Sequence, residues 1–170
     1  AVISGISVGS ISESNEIQSV SGSLTVADSD AGETLFVPQT GVSGNNNYGS
    51  FTIDASGNWS YTMNNAHNEF VAGQTYTDSI TVSSVDGTAN QVITVTMTGT
   101  NDAAVISGTS TASITESNEI QSVSGSLNVS DADAGESSFV PQTDVDGNNG
   151  YGSFSIDASG NWSYTMNNAH

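Results

Sequence analysis

The sequence predicts an all-β fold: tandem Greek-key β-sandwiches of about seven strands each. Three observations carry that expectation. Apolar and polar residues alternate with period two along most of the chain, and no 3.6-residue pattern survives for three turns. Clusters of Asp, Asn, Gly and Ser interrupt the alternation at short intervals, as hairpin turns do. The whole pattern then returns at a fixed offset. Ala104-Val105-Ile106-Ser107-Gly108 restates Ala1-Val2-Ile3-Ser4-Gly5, 103 residues on, and residues 104–170 differ from residues 1–67 at 13 of 67 positions, without insertion or deletion.

The elements follow in order. Strand A is expected near 2–12. Strand B is expected near 17–27, where Val20, Gly22, Leu24 and Val26 share one parity and Ser19, Ser21, Ser23 and Thr25 the other. C falls near 34–40 and D near 48–54, with Phe51 and Ile53 on one face. E falls near 58–64, after the turn Asp54-Ala55-Ser56-Gly57-Asn58, with Trp59, Tyr61 and Met63 alternating. F is expected near 75–85 and G near 90–99, joined by Val85-Asp86-Gly87-Thr88. Seven such strands in about 100 residues read as an immunoglobulin-like sandwich, with a closed barrel as the weaker alternative. The second copy predicts A to E near 105–115, 120–130, 137–143, 151–157 and 161–167, with no F or G. The organisation expected is one complete repeat over 1–102 and a second, truncated after strand E, over 103–170, as in a fragment of a longer array. Residues 68–170 also make one full period, so repetition alone leaves a permuted unit open.

Composition narrows the function. The chain carries 18 acidic residues and no Lys or Arg, a formal charge of −18. That excludes nucleic acid and anionic membrane surfaces as partners and leaves metal ions or water to compensate the carboxylates. No cysteine is present, and neither a membrane-spanning apolar run nor a leader pattern is visible.

Three acidic clusters recur: Glu13 (repeated as Glu116) at the end of strand A; Asp28, Asp30 and Glu33 (repeated as Asp131, Asp133 and Glu136) after strand B; and Asn101-Asp102 after strand G. Strand direction groups them. If A runs downward, G ends at the bottom with A, so Glu13, Asn64-Asn65 and Asn101-Asp102 lie at the bottom of copy one. Asp131 and Asp133 lie at the top of copy two. Six to eight oxygens from carboxylates, amides and carbonyls suit Ca²⁺, whereas zinc and redox metals want His or Cys. Carboxylates about 4 Å apart repel by ~1 kcal/mol in bulk water and by ~4 kcal/mol at an effective dielectric of 20. A cation reverses that sign and would fix the joint between repeats. The alternative is plain turn chemistry, since Asp and Gly favour turns. An EF-hand is excluded, because the twelfth position from Asp28 is Gln39.

The stretches Gly22–Glu33, Gly49–Tyr61 and Thr98–Ala103 together resemble the VCBS repeat, a cadherin-like module found in arrays in giant bacterial surface proteins, RTX adhesins among them. The resemblance covers the whole chain. It implies an extracellular, calcium-binding extender domain on the bacterial cell surface, serving adhesion and biofilm, exported by a type I system and folding outside. It also implies roles: Glu13 as the strand-A glutamate, Asp131 and Asp133 as the Asp-x-Asp pair, and Asn101-Asp102 as part of the linker motif. Ala103 stands where proline is usual, and the linker lacks further acids, which implies one or two ions per joint.

Other chemistry finds little support. His67 and its repeat partner His170 have no nucleophile with an oriented base nearby, and the Asp pairs lack an aromatic platform for glycoside hydrolysis. No enzyme is expected. Trp59 and Tyr61 are expected in the core, and Gly44-Asn45-Asn46-Asn47 as a loop tip. The partners expected are neighbouring repeats of the same chain and other copies in a fibre. A ligand-binding adhesin module, or a fibre subunit completed by strand exchange between chains, is the alternative reading.

Overall fold

The computed structural model describes residues 1–169 and forms two compact units, Ala1–Asn101 and Asp102–His170. His170 itself lies outside the described residues. In the first unit the strands are β1 (Val2–Gly5), β2 (Val8–Ser12), β3 (Ser19–Ala27), β4 (Gln39–Ser43), β5 (Gly49–Ile53), β6 (Asn58–Met63), β7 (Thr75–Ser83) and β8 (Asn90–Thr98). They make a five-stranded sheet in the order β1-β3-β6-β5-β4 and a three-stranded sheet in the order β2-β8-β7. Every pairing is antiparallel except β2 with β8, which run parallel with Ile11 opposite Met97.

Period-two alternation does what the sequence leads one to expect. Trp59, Tyr61 and Met63 on β6, and Phe51 and Ile53 on β5, point to one side of the first sheet. Val82 on β7 and Ile93, Val95 and Met97 on β8 face them from the second, and the two faces close one core. The hydroxyl and serine-threonine positions between them stay outside.

In the first unit two expectations are corrected. Strand A is not one run over 2–12. It breaks after Gly5, whose φ of +108° suits glycine alone, and the chain then changes sheets: β1 pairs with β3 and β2 with β8. Strand C is also divided. Leu35 and Val37 bond to the end of β7 through Val85 N–H to Leu35 O (2.8 Å) and Val37 N–H to Ser83 O (3.0 Å), before the chain crosses to the other sheet as β4.

The second unit contains β9 (Val105–Gly108), β10 (Ser122–Ser130), β11 (Gln142–Asp146), β12 (Gly152–Ile156) and β13 (Asn161–Met166), in one sheet ordered β11-β12-β13-β10-β9. That sheet repeats the first sheet of the first unit. The strand expected over 105–115 stops at Gly108. In the first unit the corresponding continuation, β2, is held by β8, and among the described residues the second unit has no counterpart of β8. Without that partner, residues 109–115 stay irregular.

Candidate metal centre

Because β2 and β8 are parallel neighbours, the residues just beyond their ends meet. Glu13 donates its amide to Thr98 O (2.8 Å). Thr100 donates its amide and its hydroxyl to Glu13 Oε2, at 3.1 and 2.7 Å. Glu13 is 3% exposed, and its other oxygen, Oε1, is buried without a hydrogen-bond partner. Asn101 follows Thr100 directly, so Glu13 and the start of the linker lie together at the end of the first unit that strand parity assigns them.

In the second unit the segment after β10 folds back on itself. Asp133 donates its amide to Asp131 Oδ1 (2.9 Å), Glu136 its amide to Asp133 O (3.3 Å), and Asp102 its amide to Asp133 Oδ2 (2.8 Å). Carboxylate oxygens of Asp131, Asp133 and Glu136 lie within 4.8 Å of one another. Asp133 is 2% exposed, and its Oδ1 has no hydrogen-bond partner. A buried carboxylate oxygen without a donor is costly, and this chain has no lysine or arginine to supply one. The donor set is all oxygen and negative. It fits a hard divalent cation and not zinc or a redox metal.

The first unit holds the related set in altered form. Asp28 and Glu33 are joined by Asp86, again with oxygens within 4.8 Å, while Asp30 is exposed and outside the set. Hydroxyls of Ser84 and Thr88 hold Asp86 down to about 2. Asp86 is absent from the sequence-based set because it reads as turn chemistry. The parity argument that places the others would have found it, since the β7–β8 turn shares an end with the close of β3.

Three further candidates are placed differently. Glu116, the repeat partner of Glu13, is exposed, the strand that buries Glu13 having no counterpart beside it. Asn64 and Asn65 serve locally: Asn64 Nδ2 donates to Asn47 O (2.7 Å), and Asn65 Oδ1 accepts from the His67 amide (2.6 Å). His67 stacks on Phe70, with its ring nitrogens against Tyr48 O and Glu69 Oε1.

The model of the family described as Bacterial cadherin-like domain matches residues 1–99, from the residue before β1 to the residue after β8. The chain belongs to that family. Among curated proteins none matches it. The matched stretch is the closed two-sheet core of the first unit, and this cadherin-like domain is the immunoglobulin-like sandwich that the strand count predicts.

Proposed function

We propose that this cadherin-like chain is a structural extender of a bacterial cell-surface adhesin or extracellular fibre, and that Ca²⁺ stiffens the joint between its consecutive domains. The family is generally one of structural modules in extracellular adhesins, which supports the coarser half of this reading. One observation carries the finer half: Glu13 and Asp133 each bury a carboxylate oxygen without a partner in a chain that has no lysine or arginine. The residues that would hold the ion are Glu13 and Asn101 on one side of the linker peptide, and Asp102, Asp131, Asp133 and Glu136 on the other. Asp28, Glu33 and Asp86 would offer the same chemistry towards a preceding domain, with Asp30 beside them. Glu116 would do so towards a following one.

Calcium would supply charge compensation and would restrict the linker angles. At a free concentration one hundred times its dissociation constant, a ligand that binds only the folded state adds about 2.7 kcal/mol. Calorimetry in Ca²⁺ and in chelator tests this, alongside small-angle scattering. The expected result is a higher melting temperature and a longer, narrower particle in Ca²⁺. Identical melting curves and scattering profiles in the two buffers would sink the proposal.

A further inference from the structure

Both ring nitrogens of His67 face acceptor oxygens. The residue lies in the loop between β6 and β7, 5% exposed, at a φ of +56° that costs a non-glycine residue energy. Two hydrogen bonds hold it there: its amide donates to Asn65 Oδ1 (2.6 Å), and its carbonyl accepts from the Phe70 amide (2.9 Å). The ring stacks on Phe70 with centroids 4.7 Å apart, and Phe70 stacks on Tyr76 at 3.8 Å. Tyr48 stands edge-on to all three. So placed, His67 Nε2 is 2.9 Å from Tyr48 O, and Nδ1 is 2.7 Å from Glu69 Oε1.

A carbonyl oxygen only accepts, so Nε2 donates to Tyr48. A neutral imidazole has one N–H, and its Nδ1 would then turn a lone pair on Glu69. The short contact with Glu69 needs a further proton, on the ring or on the carboxyl. Partial burial works to raise Glu69, but the hydrogen bond from His67 outweighs it and holds the carboxyl below its ordinary value. That assigns the proton to the ring. With no lysine or arginine in the chain, histidine is the side chain that can meet a carboxylate with positive charge. The other titratable groups around the ring are engaged elsewhere. The Tyr76 hydroxyl accepts from the Val71 amide (3.1 Å). Asp78 on β7, fully buried, accepts from the amides of Asn46 (2.7 Å), Tyr48 and Gly49 (3.0 Å each) and from the Tyr61 hydroxyl (3.0 Å).

We propose that His67 is a proton-operated clasp between two loops of the first unit. With two ring protons it joins the β6–β7 loop to the β4–β5 loop at Tyr48 O and grips Glu69 as well. On losing one proton it keeps Tyr48 and releases Glu69. The freedom of the two partners decides which is lost. Tyr48 O is also fixed by the Asn64 amide (2.9 Å), whereas the Glu69 side chain is 58% exposed and can turn into water. The clasp is closed where the ring is charged and Glu69 ionised. It opens as pH rises through the titration of the ring, or falls through that of Glu69.

The test uses the 170-residue chain with His170→Gln, so that His67 is its one histidine, in chelator, where calcium at the joint plays no part. Ring nitrogen chemical shifts are followed from about pH 5.5 to about pH 9, a range that spans histidine titration. At the acid end both ring nitrogens should be protonated, with a slowly exchanging proton on Nδ1. At the alkaline end Nε2 alone should keep its proton. A ring singly protonated at about pH 5.5, the state that burial by itself favours, overturns the proposal. So does a neutral ring whose proton sits on Nδ1. Hydrogen exchange of the Phe70 amide is the second measurement, read as the ratio of parent to Glu69→Gln at each pH, so that the intrinsic pH dependence cancels. The introduced carboxamide can donate to a bare Nδ1, which keeps the variant clasped when the ring is neutral. The ratio should rise about two- to fivefold towards the alkaline end, the scale of an ion pair with one exposed member. A ratio that stays constant across the range overturns the proposal.

Discussion

Thr100 donates its amide and its hydroxyl to one carboxylate oxygen of Glu13, Oε2, the hydroxyl also lying 3.2 Å from Glu13 O, while Oε1 is buried and without a hydrogen-bond partner among the described residues. A side chain half satisfied in this way has a definite response to neutralisation. In chelator, Glu13→Gln removes an uncompensated negative charge and keeps an oxygen for Thr100, so the first unit should melt at the same temperature or higher. In Ca²⁺ the variant should lose much of the stabilisation that the parent gains, because an amide is a weaker ligand for a hard cation than a carboxylate. Paired calorimetric scans check this. A Glu13→Gln protein that gains as much from Ca²⁺ as the parent would remove Glu13 from the ion's ligand set.

Asp78 poses the opposite case, a buried carboxylate with donors on both oxygens. Asp78→Asn puts an amide NH₂ among those N–H and O–H donors, where one of its ends must face a donor with no lone pair. Loss of a buried, charge-assisted set of this kind costs about 3 kcal/mol. The loss should appear in urea unfolding of the first unit, and the exchange of β10, β12 and β13 should not change. Asp78→Asn that unfolds at the parent's urea midpoint would show that the loop does not depend on the charge.

Legibility differed between these two sites for physical reasons. Strand positions for β3, β5, β6, β7 and β8 are written in the period-two alternation, since each has one dry face and one wet face. Glu13 and Asp133 are legible because strand direction fixes the end at which each must lie. Asp78 is not, because within Thr75–Ser83 it occupies an inward position that alternation reserves for apolar residues, and the amides of a loop some thirty residues earlier, with the Tyr61 hydroxyl, explain it. The break at Gly5 escapes alternation too: the parity of strand A continues across it, and what separates β1 from β2 is a choice between two sheets. The missing strand at 109–115 follows from pairing, which a residue pattern cannot express.

Acid should act on the turns. Asn58 donates its side-chain and backbone N–H to Asp54, and Asn161 does the same to Asp157, which holds both carboxyls below their ordinary value near 3.8. Asp86, held by the hydroxyls of Ser84 and Thr88, lies at about 2. Each group is lower in the folded state than in the unfolded one. Its contribution is therefore fully present above about pH 4 and is lost as pH falls through the folded value. The unfolding midpoint should drop between pH 4 and 2. Asp86→Asn should flatten the lower part of that profile relative to the parent, a difference from which the general effect of discharging the chain cancels. Superimposable pH profiles for parent and variant would contradict the assignment.

The two tryptophans allow one contact to be tested in closed and open surroundings. Trp59 lies over Gly22 on the neighbouring strand, and Trp162 over Gly125; in both pairs an added Cβ would come within 2.6 Å of ring atom Cζ2. Each indole N–H donates to a backbone carbonyl at 2.7 Å, Ile6 O in one case and Thr109 O in the other. The surroundings differ. Trp59 is buried in a closed core beneath β2, whereas Trp162 is half-buried at an open groove. Overpacking a closed core costs about 1–3 kcal/mol, so Gly22→Ala should fall in the upper part of that range. Gly125→Ala should cost less, about 1 kcal/mol or below, because the Trp162 ring can swing outward at the loss of one hydrogen bond. Hydrogen exchange of β6 and β13 amides separates the two effects within one chain. Equal costs at the two glycines would mean that the groove beside Trp162 is as closed as the core around Trp59.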